Sequence, residues 1–337
     1  MKGRKIYSAL CHKNESMKRI IMAILLIANF TACLNKKDEG LNPSQENIEM
    51  SEVMFPKPKI AIKTIGILLY DGYTTLDAMG PYQILGGLMG VNVFFVGRTK
   101  GLIANQSGMK TLCDTSIFEV KQLDILVIPG GMKETYLATK DTVLLNWIKS
   151  IDENSKYTTS VCTGAWILGA TGLLNGVEAT THWYGKKILA EEFGAKVQDK
   201  RFVKSGKYWT SAGVTAGMDM SLELIREING DKYTQVVMLD LEYDPKPPFP
   251  GGSEKNTDSE IVEGVRSMYD GGMESVLNPD KVIHNLKIVN KKDFICGMEV
   301  TADVSDTVIY NGEVYGFCSS FCKDKFKKNP SSYLVAE

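Results

Sequence analysis

The stretch TTSVCTGAWILGATGLL, residues 158–174, decides how this chain folds. It opens with a β-branched run, passes through the small residues Thr163-Gly164-Ala165 and continues as an apolar segment. That order reads as a strand, a tight turn and a helix, with Cys162 at the junction. Three more apolar or β-branched runs bounded by Gly or Pro lie upstream: IGILLY (65–70), VNVFFVG (91–97) and ILVIPGG (125–131). Runs without polar alternation suit strands covered on both faces. Helical stretches at 76–89, 141–152, 163–171 and 215–227 alternate with them. The expectation is an α/β fold, a doubly wound parallel sheet in a three-layer sandwich, with sites gathered at the carboxyl ends of strands. Pro and Gly crowd 243–255 too densely for a regular element, and a helix at 259–269 closes the domain.

The 337 residues carry 39 Lys+Arg against 40 Asp+Glu, a formal net charge of −1. That balance offers no basic field for a phosphate backbone and argues against a nucleic-acid partner. Hydrophobic residues at 44% and charged residues at 23% belong to a folded chain rather than a disordered one. Seven cysteines are too few for a disulfide scaffold, so each is read by its position.

Residues 17–33, MKRIIMAILLIANFTAC, place two cations before a short apolar run. The run falls short of the roughly 20 residues of a membrane helix and fits a secretory signal peptide, so translation could begin at Met1 or Met17. Its end, Phe30-Thr31-Ala32-Cys33, resembles the bacterial lipobox, with Phe30 where Leu is usual. The resemblance implies lipidation at Cys33 and a membrane partner through that anchor, on the extracytoplasmic side of a bacterial envelope. Residues 34–59, rich in Asn, Lys, Glu, Ser and Pro, read as a flexible tether. Cys11 precedes the signal, and Cys113, in TLCDTS, reads as core.

A cysteine in an apolar strand is, taken alone, a small buried hydrophobe. Here Cys162 also sits at a strand-to-helix turn, where the helix dipole is expected to lower its pKa. The Pro129-Gly130-Gly131 turn ends the preceding strand, so the N–H groups of Gly130 and Gly131 are expected to be free donors toward the same crevice. Asp77, in TTLDAMGPYQIL, follows the first strand and opens the first helix near that edge; in an apolar crevice its carboxyl can stay protonated and relay a proton. His182, in THW, is the domain's only histidine and reads either as a packing residue or as a site residue.

In order, LDAMGPYQIL, ILVIPGG, SVCTGAWILGATGLL, ATTHW, SAGVTAGMDMSLELI and LEYDPKPPF resemble the ThiJ/PfpI superfamily, whose class I glutamine-amidotransferase-like fold is flavodoxin-like. The resemblance is to its isonitrile hydratase branch and extends to the sensor half of certain AraC-type regulators. It assigns 60–270 to this domain. Peptidase-like branches place His directly after the cysteine, whereas Thr163 stands there in this chain. The resemblance implies a small-molecule substrate, no cofactor in this domain, and a homodimer. It also implies addition of water to an isocyanide carbon, with Cys162 as nucleophile, Asp77 as proton donor and water activator, and Thr163 hydrogen-bonding within the site. A thiolate sensor or reactive-carbonyl enzyme, and a ligand-binding or metal-handling lipoprotein, remain open.

After a linker at 271–290, a second unit at 291–337 contains DFICGMEV and VIYNGEVYGFCSSFCKDKFKKNPSSYL. Strands at 308–310 and 313–317 flank Asn311-Gly312, a hairpin signal. The hairpin would bring Cys318 to a helix start with Cys322 one turn later, and Cys296 is a third thiol. This small Cys-rich α+β module resembles the YHS domain, with Asp306 near the place of the family's histidine. Three thiolates with Met298 nearby suit zinc or copper(I), while outside the cytoplasm two of them could instead close a disulfide.

Overall fold

The computed structural model describes residues 45–278, 288–300 and 306–334. The expected signal segment with Cys33, Cys11, the tether up to residue 44 and residues 279–287 of the linker lie outside them. No helix among the described residues is long and apolar enough to cross a membrane. Helix α1 (Gln45–Met54) occupies part of the stretch expected to be a tether.

The main domain follows the chain order β1 (Thr64–Leu69), α2 (Thr75–Leu85), β2 (Asn92–Gly97), β3 (Gly101–Ala104), β4 (Lys110–Cys113), β5 (Thr115–Ser116), β6 (Ile125–Ile128), α3 (Lys133–Ala138), α4 (Thr142–Asn154), β7 (Tyr157–Val161) and α5 (Gly164–Ala170). It continues through β8 (Glu178–Ala179), α6 (Lys186–Glu191), β9 (Lys196–Val197), β10 (Phe202–Ser205), β11 (Tyr208–Ser211), α7 (Val214–Asn229), α8 (Asp231–Asp240) and α9 (Ser259–Leu277). Seven strands form one sheet in the order β10-β11-β7-β6-β1-β2-β5. Every pairing in it is parallel except the β10–β11 hairpin.

The apolar strands divide their side chains between two cores, as a period of two requires. Ile65, Ile67 and Leu69 of β1 and Ile125 and Val127 of β6 join one buried cluster. Leu68, Leu126 and Ile128 join the other. Helices α2, α7 and α8 contribute to the first cluster and α4, α5 and α6 to the second, giving the expected three layers. Strand β1 pairs with β2 on one side and β6 on the other, so the chain reverses its direction of travel across the sheet at β1 and β6. A crevice at such a switch point is where α/β sheets place ligands. Here the carboxyl ends of β1, β6 and β7 bring together the loops carrying Asp77, Pro129–Gly131 and Cys162.

Helix α9 begins as expected, with Asp258 capping Glu260 N (2.9 Å), but runs through Gly271-Gly272 to Leu277 instead of ending at a linker. The fully buried Met273, with Val276 and Leu277 packed on the second cluster, outweighs the helix penalty of about 1 kcal/mol per Gly.

In the C-terminal module, β12 (Asp306–Tyr310) and β13 (Glu313–Phe317) form an antiparallel hairpin, followed by α10 (Ser320–Lys328). Asn311 and Gly312 both take positive φ, 51° and 83°, as a two-residue primed turn needs. Tyr315, Phe317, Cys322 and Phe326 form its small core.

Candidate functional site

Cys162 follows β7 with φ 57°, a left-handed conformation that strains a side chain carrying a Cβ. Its N–H donates to Ala212 O (2.8 Å) and its carbonyl accepts the Thr181 hydroxyl (2.7 Å), which holds the bend from both sides. Two glycines make the approach of the neighbouring loop possible. A Cβ on Gly164 would lie 2.2 Å from Ile128 O, and one on Gly130 would lie 2.6 Å from Thr163 N and 2.9 Å from Cys162 Cβ. The strand-to-helix elbow expected from the small residues is thus a close stacking of the β6 and β7 loops.

Asp77, in the first turn of α2, is completely buried and faces this elbow. Its Oδ2 accepts the Gly130 N–H (3.2 Å), its carboxyl faces the Cys162 thiol and is electrostatically linked to it, and its Oδ1 is buried with no hydrogen-bond partner. Burial lifts the carboxyl from 3.8 to about 7, against the opposing pull of the hydrogen bonds from Cys162 and Gly130. The facing thiol is pushed well above the usual cysteine range, first by burial and then by the Asp77 carboxylate. This reverses the lowered pKa expected at Cys162. The Thr163 N–H favours the thiolate, but α5 has only seven residues and Cys162 is 7% exposed, so desolvation outweighs the favourable dipole.

Gly130 and Gly131 also depart from expectation, because neither N–H is free. Gly130 N–H is taken by Asp77, and Gly131 N–H donates to Thr163 Oγ1 (3.0 Å). The Thr163 hydroxyl in turn donates to Gly131 O, so Thr163 locks the β6 loop onto the elbow. The glycines position Asp77 and Thr163 rather than forming an anion hole.

His182 makes no hydrogen bond to Cys162. Its Nδ1 is buried without a partner, and burial, then the nearby Lys186, lowers its pKa to about 4. Its ring packs among aromatic groups, 5.6 Å from Trp183 and 5.8 Å from Tyr269.

Two tyrosines that sequence reasoning passed over belong to the site. Tyr70, one residue past β1, donates to Pro129 O (2.9 Å) and shares a hydrogen bond with the Thr135 hydroxyl (2.8 Å). Its position after a fully apolar strand was the available signal. Tyr269 arrives from α9, and its pKa is raised by burial and then by the Cys162 charge. A cavity of about 260 Å³ shares Tyr70 with this site; the rest of its wall, which includes Leu68, Arg98, Glu134 and Asp141, contains neither Cys162 nor Asp77.

The C-terminal module gathers Cys296, Cys318 and Cys322, and adds Asp293; one ligand atom from each lies within 4.8 Å of every other. Cys296 Sγ is 3.2 Å and Cys322 Sγ 3.7 Å from Cys318 Sγ, and all three are free thiols. Sulfurs held tetrahedrally at zinc bonds of about 2.3 Å stand roughly 3.8 Å apart, so the Cys318–Cys322 spacing already suits a metal ion and Cys296 needs to shift by about half an ångström. Although burial opposes it, the N–H groups of Cys318 and Ile295 hold the Asp293 carboxyl below its ordinary pKa. Cys318 is pushed up to about 12 by hydrogen bonds with Cys296 and Asp293. Asp306 is not among the four; it pairs with Lys323.

Residues 63–227 match the DJ-1/PfpI family and residues 291–337 match the YHS domain. The chain is 38% identical over 202 residues to the isonitrile hydratase of Pseudomonas putida, covering 60% of this chain and 88% of that protein. It is 27% identical over 189 residues to protein DJ-1 homolog A of Arabidopsis thaliana, covering 55% of this chain and 48% of that one. The crystal structure of a ThiJ/PfpI family protein from Pseudomonas syringae superposes with a TM-score of 0.62 at 31% identity, covering 71% of this chain and 95% of that one. The ordered strands, the elbow at Cys162 and these likenesses agree: the chain belongs to the DJ-1/PfpI family and carries a YHS domain after it.

Proposed function

We propose that this protein hydrates isonitriles, adding water to the terminal carbon of R–N≡C to give the formamide R–NH–CHO. The observation that carries the reading is the buried Asp77–Cys162 pair, in which an acid near pKa 7 faces a thiol whose pKa is raised. An isonitrile carbon must gain both a proton and a nucleophile, and this pair supplies both from one position. Asp77 gives its proton to the carbon while the Cys162 sulfur bonds to it, and the thiol proton passes to the Asp77 carboxylate. The product is the thioimidate Cys–S–CH=N–R with Asp77 still protonated. Water then adds to that carbon, giving up a proton to Asp77 as Asp77 protonates the nitrogen. Collapse of the S–CH(OH)–NH–R adduct returns the hydroxyl proton to sulfur and releases the formamide. Thr163 keeps the elbow and the Gly131 loop in register throughout. The relative of 88% coverage named for this activity supports the same reading.

Purified protein given cyclohexyl isocyanide should form N-cyclohexylformamide. Unimpaired turnover by Cys162→Ala or Asp77→Asn would remove the mechanism. A peroxide sensor needs a thiolate at neutral pH, and the Asp77 carboxylate works against one at Cys162.

The YHS domain would hold zinc or copper(I) through Cys296, Cys318, Cys322 and Asp293, with sulfur donors setting the preference for a soft or borderline ion. The proposal further includes a homodimer and, for the 17–33 segment, an envelope anchor at Cys33. Mass spectrometry of the membrane fraction finding Cys33 unmodified would overturn the anchor.

A further inference from the structure

Beside Cys162 stands an aromatic surface that the proton chemistry above does not use. Its near edge is fixed to the elbow itself. Thr181 donates to Cys162 O, and the next residue, His182, starts the turn Trp183–Gly185. At the far end of that turn, Gly185 O accepts the indole N–H of Trp166 (3.0 Å), a fully buried residue of α5. The turn is therefore tied at both ends to residues flanking the nucleophile. His182 also lies against Gly213, next to the Ala212 carbonyl that receives the Cys162 N–H; a Cβ on Gly213 would be 3.5 Å from His182 Cδ2.

Helix α9 supplies the opposite edge. The Tyr269 ring sits 5.8 Å from His182, edge to face at 85°, and 5.8 Å from Trp183. On either side of Tyr269, Asp270 accepts the Tyr184 hydroxyl (2.9 Å) and the Arg266 guanidinium lies 4.8 Å over the Trp183 ring. The buried Met273 pins the helix one turn further on. Tyr269 lies outside the 63–227 stretch that matches the DJ-1/PfpI family.

We propose that His182, Trp183 and Tyr269 form the wall that receives the N-substituent of an isonitrile bound at Cys162, and that they select aromatic or bulky apolar substituents over small or cationic ones. The inference rests on the hydratase reading for the identity of the reacting group. The wall presents ring faces and edges, which gain from apolar and aromatic contact and return nothing to a charged group. Its only ionisable base, His182, is uncharged at neutral pH. The charges beside it are the cations Arg266, which lies over the Trp183 ring and pairs with Glu254, and Lys186, near His182, with Asp270 taking the Tyr184 hydroxyl; the rings themselves offer no carboxylate to a cationic substituent. A linear R–N≡C held by its terminal carbon at sulfur must direct R away from the elbow, and the wall begins one residue from the group that holds the Cys162 carbonyl.

The test uses the full chain with benzyl and methyl isocyanide, in the wild type, Tyr269→Ala and Tyr269→Phe. Aromatic contact of this kind is worth about tenfold in affinity. The wild type should prefer the benzyl compound in kcat/KM by about tenfold or more. Tyr269→Ala should lose most of that preference through a raised KM for the benzyl compound, and Tyr269→Phe should keep it. An equal fall for both substrates, leaving the ratio unchanged, overturns the wall. A second arm needs no turnover: protection of Cys162 from iodoacetamide by N-benzylformamide against N-methylformamide, read by peptide mass. Stronger protection by the benzyl compound in the wild type, equalised in Tyr269→Ala, supports the wall even where no isonitrile is hydrated, in which case the hydratase reading alone falls. Equal protection in the wild type sinks the wall and leaves the hydratase reading standing.

Discussion

Replacing Asp77 by Asn isolates the least ordinary group in the domain. The folded chain holds this carboxyl at about 7 against an ordinary 3.8, so across about 3 pH units the native state keeps a proton that the unfolded chain has released. Stability changes by about 1.4 kcal/mol per pH unit in such a window, and its sign follows from which state binds more protons. Here the native state does, so the contribution is complete below pH 4, declines as pH rises and is gone above 7. The wild type should thus lose about 4 kcal/mol between pH 4 and 7.5 relative to Asp77→Asn, whose amide is neutral throughout. Asn retains a carbonyl to accept the Gly130 N–H, so the exchange removes charge with little loss of packing. Urea unfolding of both proteins at half-unit pH steps measures the gap. All four tryptophans lie between residues 147 and 209, so their fluorescence reports this domain and not the YHS module. A difference between the two proteins that stays flat from pH 4 to 8 would show that the carboxyl titrates normally and would refute both the burial argument and the acid assigned to hydration. In wild-type kinetics the same ionisation should appear as a fall in kcat/KM as pH passes through about 7.

Substitutions at Cys162 should reverse an ordinary stability order: Cys162→Gly should unfold at higher urea than Cys162→Ala, by about 1 kcal/mol, because φ 57° suits only the glycine. Alanine equal to or better than glycine would mean that the elbow is unstrained. Mild peroxide should oxidise Cys296 before Cys162, as followed by peptide mass, because the first is exposed and the second is buried beside a carboxylate. Selective oxidation of Cys162 would instead favour a sensor. After reduction and loading with zinc, the full chain should retain metal, Cys318→Ser should lose it, and Asp293→Asn should bind about tenfold or more weakly. Undiminished affinity in Asp293→Asn would reduce the ligand set to the three thiols.

What could be read in the sequence and what could not divide along a physical line. Strands β1 and β6 were legible because a strand buried on both faces has no polar position, and Ile65 to Leu69 and Ile125 to Ile128 have none. Asp77 and Cys162 were legible as neighbours because both follow strands adjacent to the switch in sheet order, which chain order alone suggests. Asp293 was missed because three residues before Cys296 it reads as a turn residue, and only the fold of the β12–β13 hairpin brings Cys318 N–H to its carboxylate. The run of α9 through Gly271-Gly272 was missed because local propensity opposes it and a distant core decides it.

The sign of the Cys162 shift failed for a related reason. The residues around the elbow announce a helix N-terminus, which favours a thiolate, but they do not announce what covers the sulfur. Asp77 comes from 85 positions upstream and Tyr269 from 107 downstream; the first faces the sulfur and the second feels its charge only after α2 and α9 have packed. A helix terminus acts through a partial charge within one turn, whereas burial removes water from every side at once. Where the two compete at a nearly inaccessible atom, desolvation prevails and the proton stays on sulfur. That outcome suits a substrate whose carbon needs a proton as well as a nucleophile: the acid and the thiol form a single store of protons, and neither has to be ionised before the isonitrile arrives.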